Sequence, residues 1–90
     1  MKIMAVCGAG LGSSFMMEMN IKKVLKKLDI TAEVEHSDLG SVTPELANVF
    51  VMGKDIAFSA NLPEEKIIVI NSLIDIKELE EKIKAFFDKQ

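Results

Sequence analysis

The chain alternates short apolar segments with segments of helical periodicity, and this alternation restricts its fold more than any other feature. Residues 3–7 form an apolar run ended by Gly8, the pattern of a strand buried on both faces. Apolar residues then recur at spacings of four, three and four, as on one face of a helix: Met17, Ile21, Val24 and Leu28. Strands that alternate with helices pair in parallel through right-handed crossovers.

The remaining segments continue this pattern. Strands are predicted at residues 31–36, 48–52 and 66–70, and a short helix at residues 54–60. In a final helix, Asp75 and Glu78 have the spacing of a capping box. The predicted buried stripe of that helix is Ile76, Leu79, Ile83, Phe86 and Phe87.

We therefore predict one α/β domain over residues 1–90 with a four-stranded parallel sheet, doubly wound, and helices on both of its faces. A phosphate loop is predicted between the first strand and the first helix. Ligands of such folds bind beyond the carboxyl ends of the strands, where the strand order reverses. Cys7 ends the first strand, so the predicted topology places the single thiol of the chain at that edge.

Composition excludes several classes of protein. One cysteine and one histidine exclude a disulfide framework and a multi-thiolate zinc site, and we expect neither a metal nor a cofactor. The 11 basic residues are all lysine, the acids number 14, and the net charge is -3. A chain without Arg, Tyr or Trp lacks the side chains that bind phosphate bidentately and stack on bases, so we expect no nucleic-acid partner.

A membrane span is also excluded by length. The longest uncharged segment, residues 3–17, is shorter than the ~20 residues that a spanning helix needs. It holds three glycines and two serines, and Val6 stands where a lipoprotein signal has a small residue. We expect a cytoplasmic protein whose Cys7 remains a reduced thiol.

The segment after the first strand carries the chemistry. It reads Cys7, Gly8, Ala9, Gly10, Leu11, Gly12, Ser13 and Ser14. Glycines permit positive φ and leave backbone amides uncovered, so successive N–H groups can surround an anion at the start of a helix. The two serine hydroxyls can donate to the same anion. These amides should also lower the pKa of the Cys7 thiol, which makes it a candidate nucleophile beside a phosphate-binding loop.

The residues that are missing distinguish this loop from others. A Walker A loop needs a lysine that is absent here, and Ser13 replaces the third glycine of a dinucleotide fingerprint. Cysteine phosphatases place an arginine six residues after the cysteine, where this chain has Ser13 followed by Ser14. Because a guanidinium clamps phosphoryl oxygens bidentately, its absence predicts a thiol that accepts a phosphoryl group but hydrolyses it poorly. A phosphoryl carrier needs that combination.

Other interpretations of the same residues stay open. The domain can be an anion- or nucleotide-binding module, or a phosphatase-like interaction domain, in which Cys7 is never phosphorylated. His36, Asp38 and Lys54 follow or end predicted strands, near the phosphate loop. His36 can hold the phosphoryl group or protonate a leaving group, Asp38 can act as a general acid, and Lys54 can help to bind phosphate. An exposed loop histidine, a solvated turn carboxylate and a surface lysine are the commoner situations.

Residues 6–14 resemble the loop of enzyme IIB of the bacterial sugar phosphotransferase system, most closely its ascorbate type. The lactose/cellobiose and galactitol types share the order strand, cysteine, loop and helix. The resemblance implies that Cys7 accepts a phosphoryl group from a phosphohistidine of a IIA protein. It further implies transfer to a sugar, with L-ascorbate as a candidate, bound by the membrane component IIC. Ser13, Ser14 and the amides of residues 8–14 would hold the phosphate.

Charge is unevenly distributed along the chain. Residues 1–30 hold five lysines against two acids, whereas residues 31–90 hold six lysines against twelve acids. A basic region around a phosphate loop would attract phosphorylated or acidic partners. A solvated lysine face on the first helix explains the same pattern equally well.

Overall fold

The computed structural model describes residues 1–7, 11–57, 60–71 and 75–89. Its strands and α-helices are, in chain order, β1 (Lys2–Cys7), α1 (Leu11–Lys27), β2 (Glu33–Asp38), β3 (Val49–Gly53), α2 (Lys54–Ala57), β4 (Ile67–Ile70) and α3 (Ile76–Asp88). Short 3-10 helices lie at Leu39–Ser41, Pro44–Leu46 and Glu64–Lys66. No helix within these residues is long and apolar enough to span a membrane.

All four strands are parallel and lie in the order β2-β1-β3-β4. The chain moves outward in one direction from β1 to β2 and in the other direction from β3 to β4. The strand order therefore reverses between β1 and β3, the two central strands. This topology confirms the predicted doubly wound α/β fold.

The sheet is buried on both faces because its central strands carry no polar side chain between Ile3 and Val6 or in β3. Residues of even and odd number face opposite sides, as strand geometry requires. One side packs against α1 and α3, and its buried core is Ile3, Ala5, Met17, Ile21, Val24, Leu25, Val49, Val51, Ile68, Ile70, Leu79 and Ile83. The other side is covered by α2 and the connecting segments around Met4, Val6, Ala47, Phe50 and Met52.

The second strand lies two residues later than its predicted position at residues 31–36. The Glu33 N–H donates to the Met1 carbonyl, and the pairing with β1 runs from Lys2↔Glu33 to Cys7↔Asp38. Val34 is the one strongly apolar residue of this edge strand, so its hydrophobic pattern contains almost no information about register. The length and position of β1 decide where β2 begins and ends.

The start of α3 confirms the predicted cap. The Asp75 carboxylate accepts a hydrogen bond from the Glu78 N–H at 3.1 Å. The Glu78 carboxylate also reaches back to the end of β4, where it accepts from the Asn71 N–H and side-chain amide, both at 2.9 Å. Leu79 and Ile83 are buried as predicted, Phe86 and Phe87 are half-buried, and the first helical residue, Ile76, is 43% exposed and so lies outside the core.

The end of α1 is closed by a Schellman motif around Asp29. The Ile30 N–H donates to the Leu25 carbonyl at 2.9 Å, and the Asp29 N–H donates to the Lys26 carbonyl at 3.2 Å. Asp29 has φ of 58°, a left-handed conformation that glycine adopts without steric cost. Leu25 and Ile30 pack in the same core, which supplies the hydrophobic contact of this motif.

Replacing Asp29 should therefore change stability with a sign that depends on the new residue. We expect Asp29→Gly to raise the free energy of unfolding by about 0.5–1 kcal/mol, because the left-handed conformation no longer opposes a Cβ atom. Asp29→Ala is the matched control and should lower it. Urea unfolding of the three proteins measures both effects, and equal stability of the Gly and Ala variants would contradict the motif.

Candidate active site at the carboxyl edge of the sheet

Cys7 is the last residue of β1 and lies at the carboxyl edge of the sheet, between the two neighbouring strands. On one side it pairs in register with Asp38, the last residue of β2. On the other side Val6 pairs with Met52, so the end of β1 adjoins Gly53, the last residue of β3. Cys7 is thus located where the strand order reverses, which is where ligands bind in folds of this class.

The connection from β1 to α1 is short. Helix α1 begins at Leu11, so only Gly8, Ala9 and Gly10 separate it from Cys7, and these three lie outside the described residues. Ser13 and Ser14 belong to the first turn of the helix. The side chains of Cys7 and of residues 11–15 also lie outside the described part of the structure.

The first turn of α1 is suited to an anion. The first four N–H groups of a helix have no carbonyl partner within the helix, and here they belong to Leu11, Gly12, Ser13 and Ser14. The helix dipole adds partial positive charge at the same end. No acid lies in this turn to compete with a bound anion. That the residues of this first turn hold a phosphate, together with Gly8, Ala9 and Gly10, stays a prediction.

His36 occupies a different position from the one predicted. It lies inside β2, paired with Ala5 and two residues before the strand end, so the interpretation of His36 as a loop residue is wrong. Its Nδ1 is 2.5 Å from Oε1 of Glu18, a residue of α1. The same carboxylate forms an ion pair with Lys22 at 3.0 Å through Oε2.

Glu18 is the residue that sequence reasoning missed. It is 9% exposed and is the one charged side chain classed as buried in the described part of the chain. The hydrogen bond from His36 lowers the pKa of Glu18 below its ordinary value of 4.5, burial opposes this shift, and Lys22 adds to it. Its spacing of three and seven residues from Ile21 and Leu25 places it on the buried side of α1, and this spacing was the available signal.

Two further candidates lie at the same edge. Asp38 is exposed at the end of β2, directly beside Cys7 in the register. Lys54 is exposed and begins α2, immediately after Gly53. It borders an open cavity whose other walls include Ala57, Leu62 and Val69. The roles of Asp38 as a general acid and of Lys54 in phosphate binding stay predictions. Among the described residues, no group of three or more His, Cys, Asp or Glu side chains is placed to hold a metal ion.

Comparison with known proteins places this geometry in context. Residues 2–85 match the family described as "PTS system, Lactose/Cellobiose specific IIB subunit". The chain is 27% identical over 85 residues to the ascorbate-specific PTS system EIIB component of Mycoplasma pneumoniae, an alignment that covers 90% of this chain and 88% of that protein.

A solved structure is similar to the whole fold. The solution structure of a low molecular weight protein tyrosine phosphatase from Bacillus subtilis superimposes with a TM-score of 0.61. The superposition covers 100% of this chain and 99% of that one at 16% sequence identity. At this identity the similarity concerns the fold alone.

The buried carboxylate predicts how stability depends on pH. Because the pKa of Glu18 is lowered in the folded protein, its ionised form stabilises the fold above pH 4.5, and this contribution is lost as the pH falls through the folded-state pKa. We expect Glu18→Gln to cost about 1–2 kcal/mol at neutral pH, because the variant loses a buried charge-assisted hydrogen bond. The difference between variant and wild type should shrink in acid.

Urea unfolding between neutral pH and pH 3 measures that difference. The pKa of Glu45 is also lowered, by its own backbone N–H and by Thr43, so acid sensitivity of the wild type alone is not diagnostic. Glu45→Gln is therefore the control for an exposed carboxylate. A Glu18→Gln deficit that stays constant down to pH 3 would contradict the assignment.

Proposed function

The chain belongs to the lactose/cellobiose-specific IIB subunit family of the PTS, which makes it a phosphotransferase component of sugar uptake, and we propose that Cys7 carries the phosphoryl group. The observation that carries this proposal is the position of the single thiol. Cys7 ends a central strand at the reversal of strand order, and three residues separate it from the N-terminus of α1. Nucleophile and anion-binding helix end are therefore adjacent along the backbone.

The first half-reaction loads the cysteine. The Cys7 thiolate attacks the phosphorus of a phosphohistidine on a IIA protein, an S–P bond forms, and the P–N bond to the imidazole breaks. The imidazole leaves as a neutral group after it takes up a proton. The N–H groups of the first turn of α1 stabilise both the thiolate and the phosphoryl oxygens, because partial positive charge at a helix N-terminus favours anions.

The second half-reaction unloads it. A sugar hydroxyl attacks the phosphorus, an O–P bond forms, the S–P bond breaks, and Cys7 returns as a thiolate while the hydroxyl proton is released. The sugar is bound by the membrane component IIC, so this chain acts in the cytoplasm and presents its loaded thiol to two partners in turn. We propose L-ascorbate as the first sugar to test, supported by the ascorbate-specific relative, with lactose and cellobiose, the two disaccharides of the family description, as the comparison.

Between the two steps the phosphocysteine must survive in water. Cysteine phosphatases use an arginine to hold the phosphoryl oxygens in the geometry of hydrolysis. This chain contains no arginine, so no segment of it can supply that guanidinium. The phosphatase-like fold and the absent arginine together support a domain that transfers a phosphoryl group between molecules and does not release it as phosphate.

Intact-mass spectrometry tests the carrier. After incubation with phosphoenolpyruvate, the upstream phosphotransferases and a matching IIA protein, the wild type should gain the mass of one phosphoryl group. Cys7→Ser should gain none, because its hydroxyl is a far weaker nucleophile than a thiolate. If the wild type gains no mass with a IIA protein that is itself phosphorylated, Cys7 is not a carrier and the anion-binding interpretation replaces it.

An aryl phosphate assay tests the arginine requirement. We expect turnover at least about 100-fold below that of a cysteine phosphatase, since the group that stabilises the transferring phosphoryl oxygens is missing. Ser13→Arg is the matched variant, because it restores the residue type at the phosphatase position, and it should shorten the lifetime of any phosphocysteine. Rapid turnover by the wild type would contradict the argument from the absent arginine.

A further inference from the structure

Burial of the Glu18 carboxylate costs free energy. A carboxylate that is removed from water loses hydration energy, and ion-pair partners offset this loss only when their geometry is good. A protein with an apolar side chain of similar volume at the same position is often equally stable. Here the Glu18 side chain is 12% exposed, and its partner His36 is 34% exposed. A contribution to stability alone is therefore a weak explanation for this carboxylate.

The two oxygens of Glu18 have different partners. Oε2 pairs with Lys22, which lies one turn later on the same helix and so cannot attach the helix to anything else. Oε1 lies 2.5 Å from Nδ1 of His36, which belongs to β2. The contact with His36 is thus the one that connects α1 to the edge strand through this carboxylate.

Both α1 and β2 extend to the candidate site beside Cys7. His36 lies two residues before Asp38, about 7 Å along the strand from the position that pairs with Cys7. Glu18 lies seven residues after Leu11, about 10 Å along the axis of α1 from its first turn. The contact between them joins the strand that flanks the thiol to the helix whose N-terminus would hold the phosphate in the proposed function.

We infer that Glu18 and His36 are a positioning pair that sets the height and rotation of α1 against the sheet, and so the placement of its N-terminal amides relative to Cys7. The inference rests on the proposed function, since the amides matter only if the thiol accepts a phosphoryl group. The pair acts through the helix and touches neither the phosphoryl group nor the sulfur. A displacement of about 1 Å at a reacting centre can cost about 100-fold in rate.

Glu18→Gln and His36→Gln test the pair, because each variant keeps a polar side chain but removes the carboxylate or the imidazole that forms the short contact. Lys27→Gln is the matched control: Lys27 forms an ion pair with Glu80 of α3 at 2.9 Å, so this variant breaks a contact of α1 with a different element. The first measurement is the rate of phosphoryl transfer to Cys7 at a pH where each variant is folded. We expect a loss of about 10- to 100-fold for both pair variants and none for Lys27→Gln.

The second measurement does not depend on phosphoryl transfer. Cys7 is the only thiol, so its alkylation by iodoacetamide as a function of pH reports the thiolate directly. If the amides move away from the sulfur, the midpoint of alkylation rises in both pair variants. The charged neighbours of the pair are Lys22 on α1 and Asp38 on β2, and both are unchanged in these variants. A direct electrostatic effect has the opposite sign, because removal of the negative charge of Glu18 favours the thiolate and would lower the midpoint. The direction of the shift in Glu18→Gln therefore distinguishes displacement of the amides from a direct charge effect.

The outcomes are distinct. A raised midpoint with slower transfer supports the positioning pair, and a raised midpoint without any phosphocysteine in the wild type would overturn the proposed function alone. Lower stability with unchanged midpoint and rate in both pair variants would overturn the inference, because the pair would then be merely structural. A lowered midpoint in Glu18→Gln would overturn it as well, since a charge effect would explain the result.

Discussion

The parallel pairing of β1 between β2 and β3 is the constraint on which the other features of this protein depend. It buries Ile3 to Val6 on both faces and brings the carboxyl ends of three strands to one edge. Since parallel strands require a crossover, the chain must leave this edge and return along a face of the sheet, which is why α1 starts beside Cys7. The same geometry that forms the core also places the N-terminus of a helix, which is suited to an anion, next to the thiol.

Shared architecture does not determine which reaction such a site performs. The fold is similar to that of a low molecular weight tyrosine phosphatase, whereas the family is a phosphotransferase family. A fold positions a nucleophile and a helix end, and individual side chains then select the outcome. For this chain we propose that the absence of arginine selects transfer over hydrolysis, since a phosphoryl group on Cys7 would lack a bidentate clamp.

The elements with strong patterns were predictable. The continuous apolar run of β1, the stripe of α1 and the Asp75 cap each depend on local sequence, and all three occur where expected. The position of β2 was not predictable, because a strand with one strongly apolar residue takes its register from its neighbour. The two-residue shift moved His36 from a presumed strand end into the strand, and with it the contact to Glu18.

The sequence by itself determined the class of fold, and it predicts the chemistry of the loop. Apolar periodicity is a local property of the chain, so it predicts the strands and helices without tertiary information. The prediction for the loop depends only on which residue types follow the thiol, namely glycines and serines, and on the absence of arginine. Only the tertiary structure decided that Glu18 and His36 meet, eighteen positions apart in sequence. That contact depends on how far β1 extends and how α1 lies on the sheet, and a partner so distant leaves no periodic signal in either segment.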